Sequence, residues 1–191
     1  MLSTNFVTAQ LVECYKLATK SRDLSSQNGA GLFSREGEFL GQGYNDFPCG
    51  VEWTEERAST RPIKYEYTEH AERNAVFDAA IGCQHGDTYT RDPLHNCVMV
   101  CPWAACADCA RAIIQIGVKH LYVHKQRMDL TNQGAHAAQW ADKVDRALGM
   151  MLEAGVEIHY HDGWLAGAPD IRADGKLWSP AGASTPSEVI T

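Results

Sequence analysis

The sequence contains no run of apolar residues long enough to cross a bilayer, which argues against a transmembrane helix. Residues 1–10 carry neither a basic n-region nor an apolar h-region, so no secretory signal is expected and the chain is read as cytoplasmic. Positive charge is scarce: 17 Lys and Arg stand against 24 Asp and Glu, a net charge of −7. A domain that tracks a nucleic-acid backbone carries a basic stripe, because phosphate neutralisation supplies most of the non-specific affinity. Here the basic residues are scattered, which argues against a polynucleotide partner and for a small molecule. A single phosphate stays compatible, since it needs only a local cationic pocket. Internal repeats are absent too. A length of 191 residues, 45% hydrophobic and 21% charged, fits one soluble globular domain. The cysteines number seven, and an odd count without a secretory signal reads as reduced thiols, some of them metal ligands. Cys14 and Cys97 fall in apolar patterns and read as small buried hydrophobes.

Along the chain, residues 6–20 place apolar side chains at helical spacing and predict an amphipathic helix. Residues 29–33 and 39–44 flank Arg35-Glu36-Gly37 and predict a β-hairpin. Pro48, Gly50 and Pro62 mark 45–64 as a long loop. A helix is predicted over 69–81 with Thr68 as its N-cap, followed by a loop over 82–95. A short buried strand at 97–100 ends at Pro102. A helix over 106–116 closes at Gly117. A strand over 120–123, a long helix over 135–154 and a strand over 156–160 complete the pattern. Strands alternating with helices indicate an α/β layered fold with at least part of its sheet parallel. Residues 1–164 read as the functional domain. The Gly-, Ala-, Pro- and Ser-rich 165–191 read as an irregular C-terminal arm.

Two segments carry the chemistry: His70-Ala71-Glu72 and Cys106-Ala107-Asp108-Cys109. Each opens a predicted helix, where unpaired N–H groups and the helix dipole favour thiolate. Cys106 and Cys109, three apart, share a helix face. One imidazole and two thiolates around Zn²⁺ leave a fourth position open, the layout of a catalytic rather than a structural site. Glu72 is surplus as a ligand and is placed to move a proton. Two other readings stay open on residues alone. A lone Cys-x-x-Cys serves redox chemistry in some proteins, and Cys97, Cys101, His95 or His124 would complete a structural zinc site.

His-x-Glu followed by Cys-x-x-Cys resembles the signature of zinc-dependent nucleobase deaminases. The chain resembles the cytidine deaminase superfamily, and within it the deoxycytidylate (dCMP) deaminase branch. The resemblance rests on Gly43-Tyr44-Asn45-Asp46-Phe47-Pro48, Lys64-Tyr65, the two metal segments, residues 113–119 and residues 153–157. It implies a three-layer α/β/α sandwich around a mixed five-stranded sheet. It implies zinc ligation by His70, Cys106 and Cys109, and proton transfer by Glu72. Asn45 would bind the sugar, Ala71 would present backbone atoms to the base, and copies of the chain would assemble as a homo-oligomer. The implied reaction is conversion of dCMP to dUMP with release of ammonia. The alternative is a deaminase of guanine, an adenine-type base or a modified pyrimidine. A non-catalytic zinc-stabilised binding protein and an RNA- or DNA-editing deaminase are further alternatives, opposed by Glu72 and by the acidic balance respectively.

Three departures from the family pattern stand out. Ala105 replaces a proline before the first ligand cysteine, and is kept as a substrate-pocket residue. Cys101 stands where threonine is usual, ahead of Pro102-Trp103-Ala104, and Cys49 stands where relatives have arginine. Lys64 is the first candidate for a phosphate contact, with Arg57 and Arg61 behind it. Trp103 is a candidate base-stacking wall, and His124 a candidate pocket residue. His85 and His95 read as surface residues, and His159 and His161 as one exposed strand face.

Overall fold

The computed structural model describes residues 1–84, 96–103, 106–130 and 137–182. Expectations for Ala105, His85, His95 and the start of the long helix at 135–136 lie outside these residues. In chain order the elements are α1 (Thr4–Ala18), β1 (Gly29–Phe33), β2 (Phe39–Tyr44), α2 (Glu55–Ser59), α3 (Lys64–Tyr67), α4 (Ala71–Gln84), β3 (Cys97–Val100), α5 (Ala107–Ile116), β4 (Val118–His124), α6 (Lys125–Asp129), α7 (Ala137–Glu153), β5 (Glu157–His161), β6 (Ile171–Ala173) and β7 (Lys176–Trp178).

The main sheet runs β2-β1-β3-β4-β5. It is mixed: β1 pairs antiparallel with β2 and β3, while β3, β4 and β5 are parallel. On one face α4, α5 and α7 bury Ala75, Ala79, Ile113 and Met151 against Leu32, Met99, Leu121 and Val123. On the other, Val7, Leu11 and Tyr15 of α1 cover Phe33, Val98, Val100 and Tyr122. This is the expected three-layer arrangement. Its helix–strand alternation follows from apolar runs too short for anything but strands, joined by amphipathic helices.

The helix α4, which starts at the first metal segment, sits very close to β2. A Cβ on Gly43 would lie 2.3 Å from the Ala71 carbonyl oxygen and 2.4 Å from Ala75 N, and one on Gly41 would lie 2.6 Å from Ala79 N. These neighbours are backbone and cannot rotate away. Gly43→Ala is therefore expected to cost about 1–3 kcal/mol, measured by urea unfolding, and to lower turnover in the surviving fold because α4 must shift.

Several local expectations are corrected. The first helix begins earlier, at Thr4, because Ser3 Oγ caps Phe6 N at 3.3 Å. The 45–64 loop holds α2, capped by Thr54, and leads directly into α3. Thr68 is not the N-cap of α4; it closes α3 through a bond to Lys64 O, and Glu69 bridges to Asp46. The amide of Ala71 is capped from a distance by Asn45 Oδ1 at 2.9 Å. The 165–182 part of the expected arm folds back onto the α1 face. Leu165, Ala168 and Ile171 are buried there, β6 and β7 form a hairpin, and Arg172 and Gly175 bond Gln27 and Ser25. Short apolar residues among glycines and prolines hid this packing.

Candidate active site

Two helix starts meet at the C-terminal side of β3. His70 immediately precedes α4. Cys106 is the N-cap residue of α5, and Cys109 lies in that helix's first turn. His70 Nδ1 is 3.5 Å from Cys106 Sγ and 3.5 Å from Cys109 Sγ, and the sulfurs are 3.6 Å apart. A disulfide needs about 2.05 Å, so the thiols are not bonded to each other. Zn–S of about 2.3 Å and Zn–N of about 2.05 Å at a tetrahedral angle give edges of about 3.8 and 3.6 Å. The observed triangle fits those edges, so these three side chains suit a single tetrahedral ion.

The electrostatics of the cluster point the same way. The Cys106 thiol is pulled down to about 3 by the hydrogen bond from Cys109 and by His70, against its burial. Cys109 is pushed up because it holds the proton shared with Cys106, and because it is buried. Burial alone would depress His70, but the Cys106 hydrogen bond and the charges of Glu72 and Cys106 raise it to about 9. The cluster thus holds protons that a divalent cation replaces on binding. Beside it, Glu72 is 3% exposed, and burial pushes its carboxyl up to about 7 against the opposing charge of His70.

A pocket opens over this centre, lined by Asn28, Asn45, His70, Glu72, Trp103 and Cys106. It continues into a second cleft past Ser25, Ser26, Arg61, Tyr65 and Asp174. Asn45 reaches both. Its Oδ1 caps Ala71, and one Nδ2 hydrogen goes to Ser26 O at 2.8 Å. Trp103 also lines both clefts, with the Arg127 guanidinium over its ring at 4.7 Å.

The other expected pocket residues fare differently. Ala71 is fully buried and its N–H is taken by Asn45, so that amide is not offered to a ligand. Lys64 touches the cleft, but its ammonium is buried in an ion pair with Asp23, whose carboxylate also accepts from Ser25 N and Ser26 N. Arg61 is the exposed cation at the mouth, 2.9 Å from Tyr65 Oη and 3.1 Å from Ser25 Oγ. Arg57 instead lies over the Tyr67 ring. His124 does not face the pocket. It is fully buried, with Nδ1 accepting from Tyr15 Oη at 2.7 Å and Nε2 donating to Gly163 O at 2.8 Å. Cys101 lies behind the pocket lining: Asn28 Nδ2 is 3.2 Å from its Sγ, which in turn donates to Trp103 O at 3.1 Å. Cys49 is an exposed free thiol.

Sequence reasoning missed Asn28, Ser25, Ser26 and Asp174. Asn28 stands just ahead of a predicted strand, a weak signal, and the others carried none. Among the described residues no helix is long and apolar enough to cross a membrane.

Residues 7–125 match the family described as the cytidine and deoxycytidylate deaminase zinc-binding region. An uncharacterized deaminase of Aliivibrio fischeri is 29% identical over 138 residues, 72% of this chain and 81% of that protein. The deoxycytidylate deaminase of Mus musculus is 32% identical over 109 residues, 54% of this chain and 56% of the mouse protein. The match therefore spans about half the length of that relative. The solved dCMP deaminase of cyanophage S-TIM5, in complex with dCMP and dUMP, aligns with a TM-score of 0.61 at 20% identity, covering 84% of this chain and 100% of that one. That is a likeness of fold.

Proposed function

The chain belongs to the cytidine and deoxycytidylate deaminase family, and on that footing we propose that it is a zinc-dependent hydrolase converting dCMP to dUMP with release of ammonia. The observation that carries this reading is the His70, Cys106, Cys109 triangle with the buried Glu72 beside it. When bound, Zn²⁺ supplies Lewis-acid activation of water near neutral pH. Glu72 takes one proton from the attacking water and gives it to the ring nitrogen, then takes the remaining proton from the newly added hydroxyl and delivers it to the amino group, which leaves as ammonia as the carbonyl forms. Its burial suits this task, because a carboxyl held near neutrality both accepts and donates.

The surrounding residues hold the substrate. The Trp103 ring, which lines both clefts, stacks on the flat base, and the second Nδ2 hydrogen of Asn45 meets the sugar. Arg61, flanked by the hydroxyls of Ser25 and Tyr65, takes the phosphate at the mouth. Arg61→Ala should raise KM for dCMP about 10-fold, the loss of one charge-assisted contact of about 1.5 kcal/mol, with kcat little changed. Steady-state kinetics with dCMP and deoxycytidine check this, and the deoxycytidine KM should not move.

A second reading has one observation in its favour: Asp23 and Asp174 also line the mouth, and carboxylates repel a phosphate. It assigns the site to an unphosphorylated base or nucleoside, guanine, an adenine-type base or a modified pyrimidine included. Ammonia release from dCMP, dCTP, cytidine, cytosine and guanine separates the two. Fastest turnover of dCMP is expected. Slow dCMP beside a rapid free base would transfer the site to the second reading.

A further inference from the structure

Away from the catalytic centre, a second group of metal-ligating side chains gathers where β4 meets the edge strand β5. The parallel register sets His120 opposite Glu157 and Tyr122 opposite His159. His120, Glu157 and His159 therefore crowd onto one face, the face that also carries Tyr122. His120 Nδ1 is 3.1 Å from His159 Nε2, and one Glu157 oxygen lies 3.5 Å from the first nitrogen and 3.7 Å from the second. The expectation that His159 belongs to a plain exposed face is corrected here: its ring stacks on Tyr122 at 4.6 Å between centroids, which fixes its orientation.

From this geometry we infer that His120, His159 and Glu157 form a second metal site for a divalent transition-metal ion of the Zn²⁺ type. A hydrogen bond between the two imidazoles explains the shortest contact but not the third donor. The Glu157 oxygen is nearly equidistant from both nitrogens and beyond ordinary hydrogen-bond length, about 2.7–3.2 Å, from each. Two nitrogens and one oxygen at about 2.1 Å from a tetrahedral ion would be separated by about 3.4 Å, close to all three observed distances. Two imidazoles and one carboxylate are a donor set suited to zinc and its neighbours rather than to calcium or magnesium. The site is separate from the catalytic one. His120 lies four residues before His124 on β4, about 13 Å along the strand, toward the end remote from the helix starts that carry Cys106 and His70. An ion there clips β5, one edge strand of the sheet, to its neighbour.

The test uses the full chain already loaded with one equivalent of Zn²⁺ and titrated calorimetrically with further ZnCl₂. One more equivalent is expected to bind. Glu157→Gln and His159→Gln should each weaken that second binding at least about 10-fold, leaving the first equivalent and the deaminase activity unchanged. Glu157 is 63% exposed on its side chain, so its replacement does not threaten folding. Absence of a second equivalent, or second binding as tight in either variant as in the unaltered chain, would overturn the proposal. Failure of the deaminase reading would show instead as loss of turnover with this stoichiometry intact.

Discussion

Glu72→Gln should keep one zinc ion at the His70, Cys106 and Cys109 centre yet lose about 10³- to 10⁴-fold in kcat. The amide matches the carboxylate in size and fills the same buried space, so the ligand triangle has no reason to move. What disappears is the group that accepts and returns the proton. Elemental analysis and ammonia release on one preparation measure both halves of the expectation. A variant that keeps its metal and still turns over at near the original rate would remove Glu72 from the mechanism. One that loses its metal would place Glu72 among the residues that build the centre. Substitution of His70 by alanine makes the converse case: two sulfurs remain, the triangle is broken, and metal and activity should fall together.

The second large effect concerns Lys64. Its side chain is 7% exposed and that of its partner Asp23 only 3%. Removing one member of a buried pair leaves the other charge without its counter-ion, at about 3–5 kcal/mol. Lys64→Met should therefore lower unfolding stability by that amount, read from the midpoint in urea. The double variant Lys64→Met, Asp23→Asn should recover much of the loss, since no bare charge remains and the asparagine oxygen still accepts from Ser25 N and Ser26 N. The same pair separates two roles that a phosphate-contact assignment would merge. Lys64 supports the loop, and Arg61 is the cation proposed to face the ligand. If Lys64→Met left stability unchanged but raised KM for dCMP, the roles would be reversed.

How far the sequence carried these conclusions depends on the range of the interaction involved. The hairpin of β1 and β2 has the predicted bounds, because two short segments flanking a Gly-containing turn are a local signal. Gly117 closes α5 with φ of 88°, the left-handed conformation that glycine adopts without strain. His70, Cys106 and Cys109 were legible because ligand spacing and helix starts are local as well, and only their approach to one another needed the fold.

The misreadings at the site involve distant partners. Lys64 meets a carboxylate 41 residues away, and Asn45 caps a helix that begins 26 residues later. His124 shows the limit of strand parity. Alternation puts 120, 122 and 124 on one face, but not which face the helices bearing the ligands occupy. They occupy the other one, and His124 ends between Tyr15 and Gly163.

The mouth of the cleft draws on both ends of the chain: Ser25 and Ser26 follow α1, while Asp174 sits in the turn of the last hairpin and Gly175 N bonds Ser25 O at 2.8 Å. During synthesis His70, Cys106 and Cys109 leave the ribosome well before residue 174 does. The growing polypeptide thus carries all three proposed metal ligands while the rim of the cleft is still unmade, so the two halves of the site become available in sequence rather than together.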